Sequence, residues 1–237
     1  MKKNITSISE YDFLSENECN ELFQKVITLK DFFSESITDE RSFTTLGNSA
    51  WRTGEGFNYY PEMNNFMLSE FSNLYEKTLR FIHDKMNLEN VKIYEKSPPG
   101  FNIMGGLKAQ TFAENFAFHV DGGIYMNEEK ENVVNNSIYT FTCLISKNQD
   151  RPFLEYLMNR TPNIDVNKQK IVNEMFFTNN VNTEKRKHFY KRGKMTGFDG
   201  FNIYHRVGAN SFQKDELRIT YQMHYFLSTD GNYYLNF

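Results

Sequence analysis

His119 and Asp121 stand two positions apart in the run Phe118-His119-Val120-Asp121-Gly122-Gly123. On a strand, residues i and i+2 project from one face, so this imidazole and carboxylate can hold one cation together. Gly122 and Gly123 then let the chain turn away. Alone, the pair reads equally well as a strand-end histidine beside a turn aspartate. Two features downstream add to it. Gly197-Phe198-Asp199-Gly200-Phe201-Asn202-Ile203-Tyr204-His205 reads as a turn, a strand and a histidine at its end. Glu216 to Phe226 then alternates, with Leu217, Ile219, Tyr221, Met223 and Tyr225 apolar and Arg218, Thr220, Gln222 and His224 polar. Such a polar face fits solvent exposure, and it also fits a barrel lumen that holds a polar ligand.

These residues need a β scaffold, and the period of the sequence supplies one after a helical start. Ser15-Glu16-Asn17-Glu18 has the form of a capping box, flanked by Leu14 and Cys19 at staple positions. Cys19, Leu22, Phe23 and Val26 continue it as a helix to about Leu29. A second helix is expected from Pro61 to about Met86, and irregular strand and loop from Phe43 to Tyr60. From Val91 the period is two, with strands expected at Val91–Tyr94, Phe101–Met104, Lys108–Ala113, Phe116–Val120, Ser137–Leu144, Phe201–Val207 and Glu216–Phe226. Short strands between Pro-Gly, Gly-Gly and Asn-rich turns predict an antiparallel barrel or jelly roll. Residues 150–194 read as an insertion, with helical spacing at Phe153–Met158 and Val166–Phe177. The whole is one mainly β domain over residues 1–237: helical support in 1–90, then a double-stranded β-helix (jelly-roll) core in 91–226. Placed between core strands, the insertion is expected to act as a lid over the substrate; the rival use of its apolar face is a homodimer contact.

Composition narrows the class. A net charge of −3 argues against a dedicated nucleic-acid or polybasic membrane binder. Two cysteines exclude a disulfide framework and a cysteine-only zinc site. MKKNITSISEYDF lacks the apolar stretch of a secretory signal, and no apolar run reaches membrane-span length, so a soluble cytoplasmic protein is expected. Lys185, Arg186, Lys187, Lys191, Arg192 and Lys194 form a basic cluster, read as a solvated face or as a receptor for an anionic substrate or a carrier protein's phosphopantetheine arm. Trp51 and Arg52, in a Gly-flanked loop, are candidates to cover a substrate.

The order His-x-Asp, distant His, then Arg-x-Ser/Thr resembles the Fe(II)/2-oxoglutarate-dependent dioxygenases, matched here by His119, Asp121, His205, Arg218 and Thr220. Asp12-Phe13-Leu14-Ser15-Glu16-Asn17-Glu18-Cys19 is similar to the start of the prolyl-4-hydroxylase-like branch. The resemblance spans Asp12 to Phe226, insertion excluded. It implies Fe(II) on His119, Asp121 and His205, 2-oxoglutarate as cosubstrate with O₂, and Arg218 with Thr220 on the distal carboxylate. His205 to Arg218 is 13 residues, against about ten in the family, which makes Lys214 a competing anchor; Thr220 shares a face with Arg218 and favours it. Asp121 stands where related halogenases carry a small residue, so hydroxylation is the implied reaction, with desaturation or cyclisation as relatives. The implied substrate is a small, amino-acid-like or secondary metabolite. The alternatives are a peptidyl (prolyl-type) hydroxylase and a non-catalytic ligand-binding barrel.

Overall fold

The computed structural model describes residues 8–34, 42–49, 61–106, 109, 111, 113, 116, 118–121, 134, 138–147, 152–157, 184–200, 202–209 and 216–237. Helix α1 (Glu16–Thr28) starts as the capping box requires. Ser15 Oγ accepts the Glu18 N–H at 3.3 Å, and the Glu18 carboxylate accepts the Ser15 N–H at 2.8 Å. The expected single second helix is two, α2 (Pro61–Glu70) and α3 (Ser72–Met86). They break at Phe71, whose φ and ψ of −111° and 22° leave the helical range while its buried ring packs 4.9 Å from Phe101. The core contact overrides the helical period there. α3 ends on Asn87 in the left-handed region, its N–H bonded to the His83 carbonyl. Among the described residues, no helix is long and apolar enough to cross a membrane.

The strands are β1 (Ser9–Asp12), β2 (Phe43–Leu46), β3 (Val91–Ile93), β4 (Gly100–Gly105), β5 (Tyr139–Leu144), β6 (Pro152–Leu157), β7 (Lys185–Phe189), β8 (Lys194–Phe198), β9 (His205–Ala209), β10 (Leu217–Leu227) and β11 (Tyr233–Asn236). An eight-stranded sheet runs β1-β8-β5-β10. On its far edge β10 pairs with β4 over Leu217 to Gln222 and with β11 over His224 to Leu227. β2 lies outside β4, and β3 joins β11 in parallel. The second sheet, β7-β6-β9, is three-stranded and is extended by an antiparallel bridge from His119 to His205.

The alternation along β10 sorts the large sheet's two faces. Ile219, Tyr221, Met223 and Tyr225 join Phe101, Ile103, Phe141 and Cys143 in the main core under the helices. The Tyr221 hydroxyl lies 3.2 Å from that of Thr78 on α3, which settles the one polar atom this ring brings inside. Arg218, Thr220 and His224 turn the other way and are also buried. Gln222 on the same face is half-buried, so the face is an interior enclosed at Arg218, Thr220 and His224.

Four expectations fail for physical reasons. Of the expected helix Phe153–Met158, the described residues Phe153–Leu157 are strand: β6 lies between β7 and β9 with both faces covered, and a doubly buried strand mimics helical spacing. Residues 150–194 are accordingly no simple insertion, because β6 and β7 belong to the small sheet and β8 to the large one. Of Lys108–Ala113, expected as a strand, the described positions 109, 111 and 113 are helical, with Ala109 and Ala113 buried against Met104. The strand expected from Phe201 starts at His205, because Asp199 caps a turn by accepting the N–H groups of Asn202 and Ile203. The helical stretch at Val166–Phe177, Trp51, Arg52 and Lys214 lie outside the described residues.

Candidate metal centre and cosubstrate pocket

His119 and His205 exchange both backbone hydrogen bonds, at 2.9 and 2.8 Å, so their side chains emerge together from one face of the small sheet. Their ring centroids are 4.5 Å apart. Two residues on, the Asp121 N–H donates to the Gly200 carbonyl at 2.9 Å, which turns its carboxylate back to the same point. Asp121 Oδ1 is 3.4 Å from His205 Nε2 and 3.7 Å from His119 Nε2. One ligand atom from each residue fits within a span of 4.8 Å. His205 Nδ1 sits 2.9 Å from the Ile203 carbonyl, so this nitrogen carries the proton and Nε2 directs its lone pair at the cluster.

Asp121 is 2% exposed and His205 5%. Burial opposes the charge on Asp121, but the imidazoles of His205 and His224 outweigh it and hold the carboxyl below its ordinary range. Burial likewise opposes charge on His205, and Asp121 reverses the balance upward. Both shifts have one cause, the mutual attraction of the Asp121 carboxylate and the imidazoles around it. Two neutral imidazoles and one carboxylate are the donor set for a facially coordinated divalent iron, and the residues present fit that ion.

The outer oxygen of Asp121 is also held. It accepts from the Thr140 hydroxyl of β5, and His224 Nδ1 on β10 lies 3.0 Å from the same hydroxyl. Gly200 backs this contact: a Cβ there would stand 2.2 Å from Thr140 Oγ1 and 2.4 Å from Asp121 Oδ2.

Arg218 lies at the other end of the enclosed face. It is 5% exposed, and its Nε has no hydrogen-bond partner. The guanidinium carbon stands 5.3 Å from the Tyr190 ring centre, and Tyr190 interacts with both Arg218 and Thr142. Asn102 Oδ1 and Thr196 Oγ1, from strands flanking β10 and β5, are likewise buried without partners. Thr220 is buried and pairs across the sheet with Asn102. Leu144, Leu154, Tyr190 and Phe198 pack into an apolar wall between the two sheets. A buried guanidinium with an unused donor, beside hydroxyls, is built to receive a polar anion.

All five residues that carry the sequence resemblance thus line one interior. Thr140, Thr142, Tyr190 and Gly200 escaped the sequence reading. Thr140 and Thr142 alternate with Phe141 and Cys143 on β5, a signal that was there to be read; Tyr190 and Gly200 carry none. The basic cluster is largely engaged in structure: Arg192 bonds Glu16, Asn20 and the Ile145 carbonyl, Lys191 pairs with Glu10, Lys194 with Asp12 and Arg186 with Glu184.

No protein-family profile and no curated protein sequence matches this chain. Solved structures do. EvdO2 from Micromonospora carbonacea var. aurantiaca superposes with a TM-score of 0.53 at 13% identity, over 94% of this chain and 88% of that one. Its complex with 2-oxoglutarate gives 0.52 at 13% identity, over 96% and 89%. A prolyl-4-hydroxylase from Pseudomonas putida gives 0.42 at 10% identity, over 92% and 91%. At these identities the likeness concerns architecture, and on it this chain has the fold of EvdO2, a protein crystallised with 2-oxoglutarate.

Proposed function

We propose that this chain is an Fe(II)- and 2-oxoglutarate-dependent oxygenase that hydroxylates an unactivated C–H bond of a small molecule. The observation that carries the reading is the convergence of His119, Asp121 and His205 in an interior that also holds a buried Arg218 with an unused donor. The strand order supports a double-stranded β-helix as the frame. From β4 to β10 the chain visits the large sheet, the small sheet at His119, the large at β5, the small at β6 and β7, the large at β8, the small at β9 and the large at β10. That alternation between two facing sheets is what a jelly roll requires.

His119, Asp121 and His205 would hold the iron, and Arg218, assisted by Thr220, the distal carboxylate of 2-oxoglutarate. When bound, the iron lets O₂ and 2-oxoglutarate give succinate, CO₂ and one oxygen atom inserted into the substrate C–H bond. Arg218 is suited to its part because it stays charged and its planar fork meets a carboxylate with two parallel bonds. Tyr190 braces that fork. The Leu144, Leu154 and Phe198 wall keeps water from the space between Arg218 and the histidines, where a polar contact is worth most.

The small sheet also supports an anionic, amino-acid-like substrate. Cross-strand pairing extends the row of His119 and His205 through Tyr156 to Arg186 at the β7 edge, all on one face. Arg186 is exposed and ion-paired with Glu184 at 3.0 Å, a pairing that a substrate carboxylate would exchange for its own. Succinate formation tests the reading. It should require both added Fe(II) and 2-oxoglutarate and rise with the right free amino acid or related metabolite. Stimulation by peptides alone would move the substrate class to a peptidyl one, and succinate formed without added iron would overturn the reading.

A further inference from the structure

His224 touches the metal centre without being one of its three candidate ligands, and the polar side chains around it form a single directed series. As a metal ligand Asp121 is a carboxylate and can only accept, so Thr140 must donate its hydroxyl hydrogen to Asp121 Oδ2. That hydrogen being spent, Thr140 Oγ1 accepts from His224 Nδ1 at 3.0 Å. His224 Nε2, bearing the lone pair, then faces the Gln222 amide nitrogen at 3.4 Å. The Gln222 amide oxygen in turn accepts from the Asn102 amide nitrogen. Each group has its donor and acceptor on the correct side for one direction only, Asn102 to Gln222 to His224 to Thr140 to Asp121. The series crosses three neighbouring strands, β4, β10 and β5, and ends on the one ligand that is not a histidine.

Resting on the metal-site reading above, we infer that this relay is a positioning device. It pins the outer oxygen of Asp121, so that Oδ1 alone points at His119 and His205 and the carboxylate binds the ion through one oxygen. Without the Thr140 donor, the carboxylate is free to rotate or to take the ion with both oxygens, using a position that the cosubstrate or O₂ needs. His224 lies 3.7 Å from Asp121 Oδ2, beyond hydrogen-bond reach, and acts chiefly through Thr140, whose hydroxyl direction it fixes. Gly200 keeps the Thr140–Asp121 contact close by presenting no side chain against it. Hydrogen-bonded partners of this kind ordinarily govern metal affinity by one to two orders of magnitude.

Metal affinity of the full chain, measured with Co(II) by competition titration, tests the relay without turnover. Wild type should bind one equivalent. Thr140→Val, which keeps the shape and removes the donor, should bind about 10- to 100-fold more weakly, and Thr140→Ser should restore most of the affinity. His224→Leu should weaken binding by a smaller factor. In the Thr140→Val background it should add almost nothing, because its effect passes through that hydroxyl. Should Thr140→Val fail to fold, Gln222→Leu at the outer part of the series should still lower affinity, at about the 10-fold end of the range. Co(II) affinity unchanged in Thr140→Val or in Gln222→Leu would overturn the relay, and so would losses from Thr140→Val and His224→Leu that multiply independently. Wild type binding no Co(II) would instead overturn the metal site itself.

Discussion

Arg218 and Asp121 are buried charges at opposite ends of one interior, and each is held there by neighbours that differ in kind. Asp121 is surrounded by imidazoles and a hydroxyl that fix its orientation. Arg218 has an aromatic ring to lean on and a donor left over. Removing the guanidinium should therefore act on the ligand it awaits more than on the fold. Arg218→Ala is expected to weaken 2-oxoglutarate by roughly 30- to several-thousand-fold, the cost of losing one side of a buried charge pair of about 2–5 kcal/mol. The Michaelis constant for 2-oxoglutarate in the succinate assay reads this, and a constant that stays at the wild-type value contradicts the role. Gly200 gives the opposite case. Its added methyl in Gly200→Ala would meet Thr140 and Asp121, at an overpacking cost of about 1–3 kcal/mol. The variant should lose metal affinity as well as thermal stability; retention of wild-type Co(II) binding would show that the contact is not needed. At this scale His119, Asp121, His205 and Arg218 were singled out because their order resembles a family motif; the His-x-Asp pair alone reads equally well as a strand-end histidine beside a turn aspartate. Tyr190 was not legible, because a tyrosine beside a basic run has many ordinary explanations and only the fold brings it over Arg218.

The elements that could be read were those with a local rule of their own. The capping box at Ser15 predicted the start of α1, and the strict alternation of β10 predicted both its span and its two faces. β6 defeated the same method, since burial on both sides removes the alternation. β7, with Lys185, Arg186 and Lys187 in sequence, reads as a solvated basic face or an anion receptor until its pairing with β6 is seen. The capping box also carries a pH prediction. A hydrogen bond from Lys77 on α3, then the Ser15 N–H, lower the Glu18 pKa from 4.5 to about 2. A carboxyl depressed on folding stabilises the native state above its unfolded pKa, and that stabilisation is lost as pH falls from 4.5 towards 2. Glu18 is 41% exposed, so solvent screening limits the contribution to about 0.5–1 kcal/mol. Glu18→Gln should be less stable than wild type at pH 7 by that amount, and the gap between their urea midpoints should close near pH 2. A gap that persists unchanged at acid pH would assign the effect to packing instead of charge.

For the whole molecule, the helices and the small sheet lie on opposite sides of one large sheet, and the chemistry faces the small sheet. Packing the helices on Ile219, Tyr221, Met223 and Tyr225 leaves the other face of β10 free to carry Arg218, Thr220, Gln222 and His224. The small sheet brings His119 and His205 against it, and Asp121, Thr140 and His224 tie the two together. A jelly roll was expected from the short strands and the family resemblance, but which strand joins which sheet was not legible, because that depends on which strands pair and not on any one strand's pattern. The central claim is that this interior holds iron and 2-oxoglutarate at once, with the three ligands on one side and Arg218 on the other. Its most direct test is the visible absorption of the purified chain under anaerobic conditions as Fe(II) and 2-oxoglutarate are added together. A metal-to-ligand charge-transfer band that needs both additions, is lost in His119→Ala and requires far more 2-oxoglutarate in Arg218→Ala is the predicted result. No band in wild type, or a band unchanged in His119→Ala, would contradict the account.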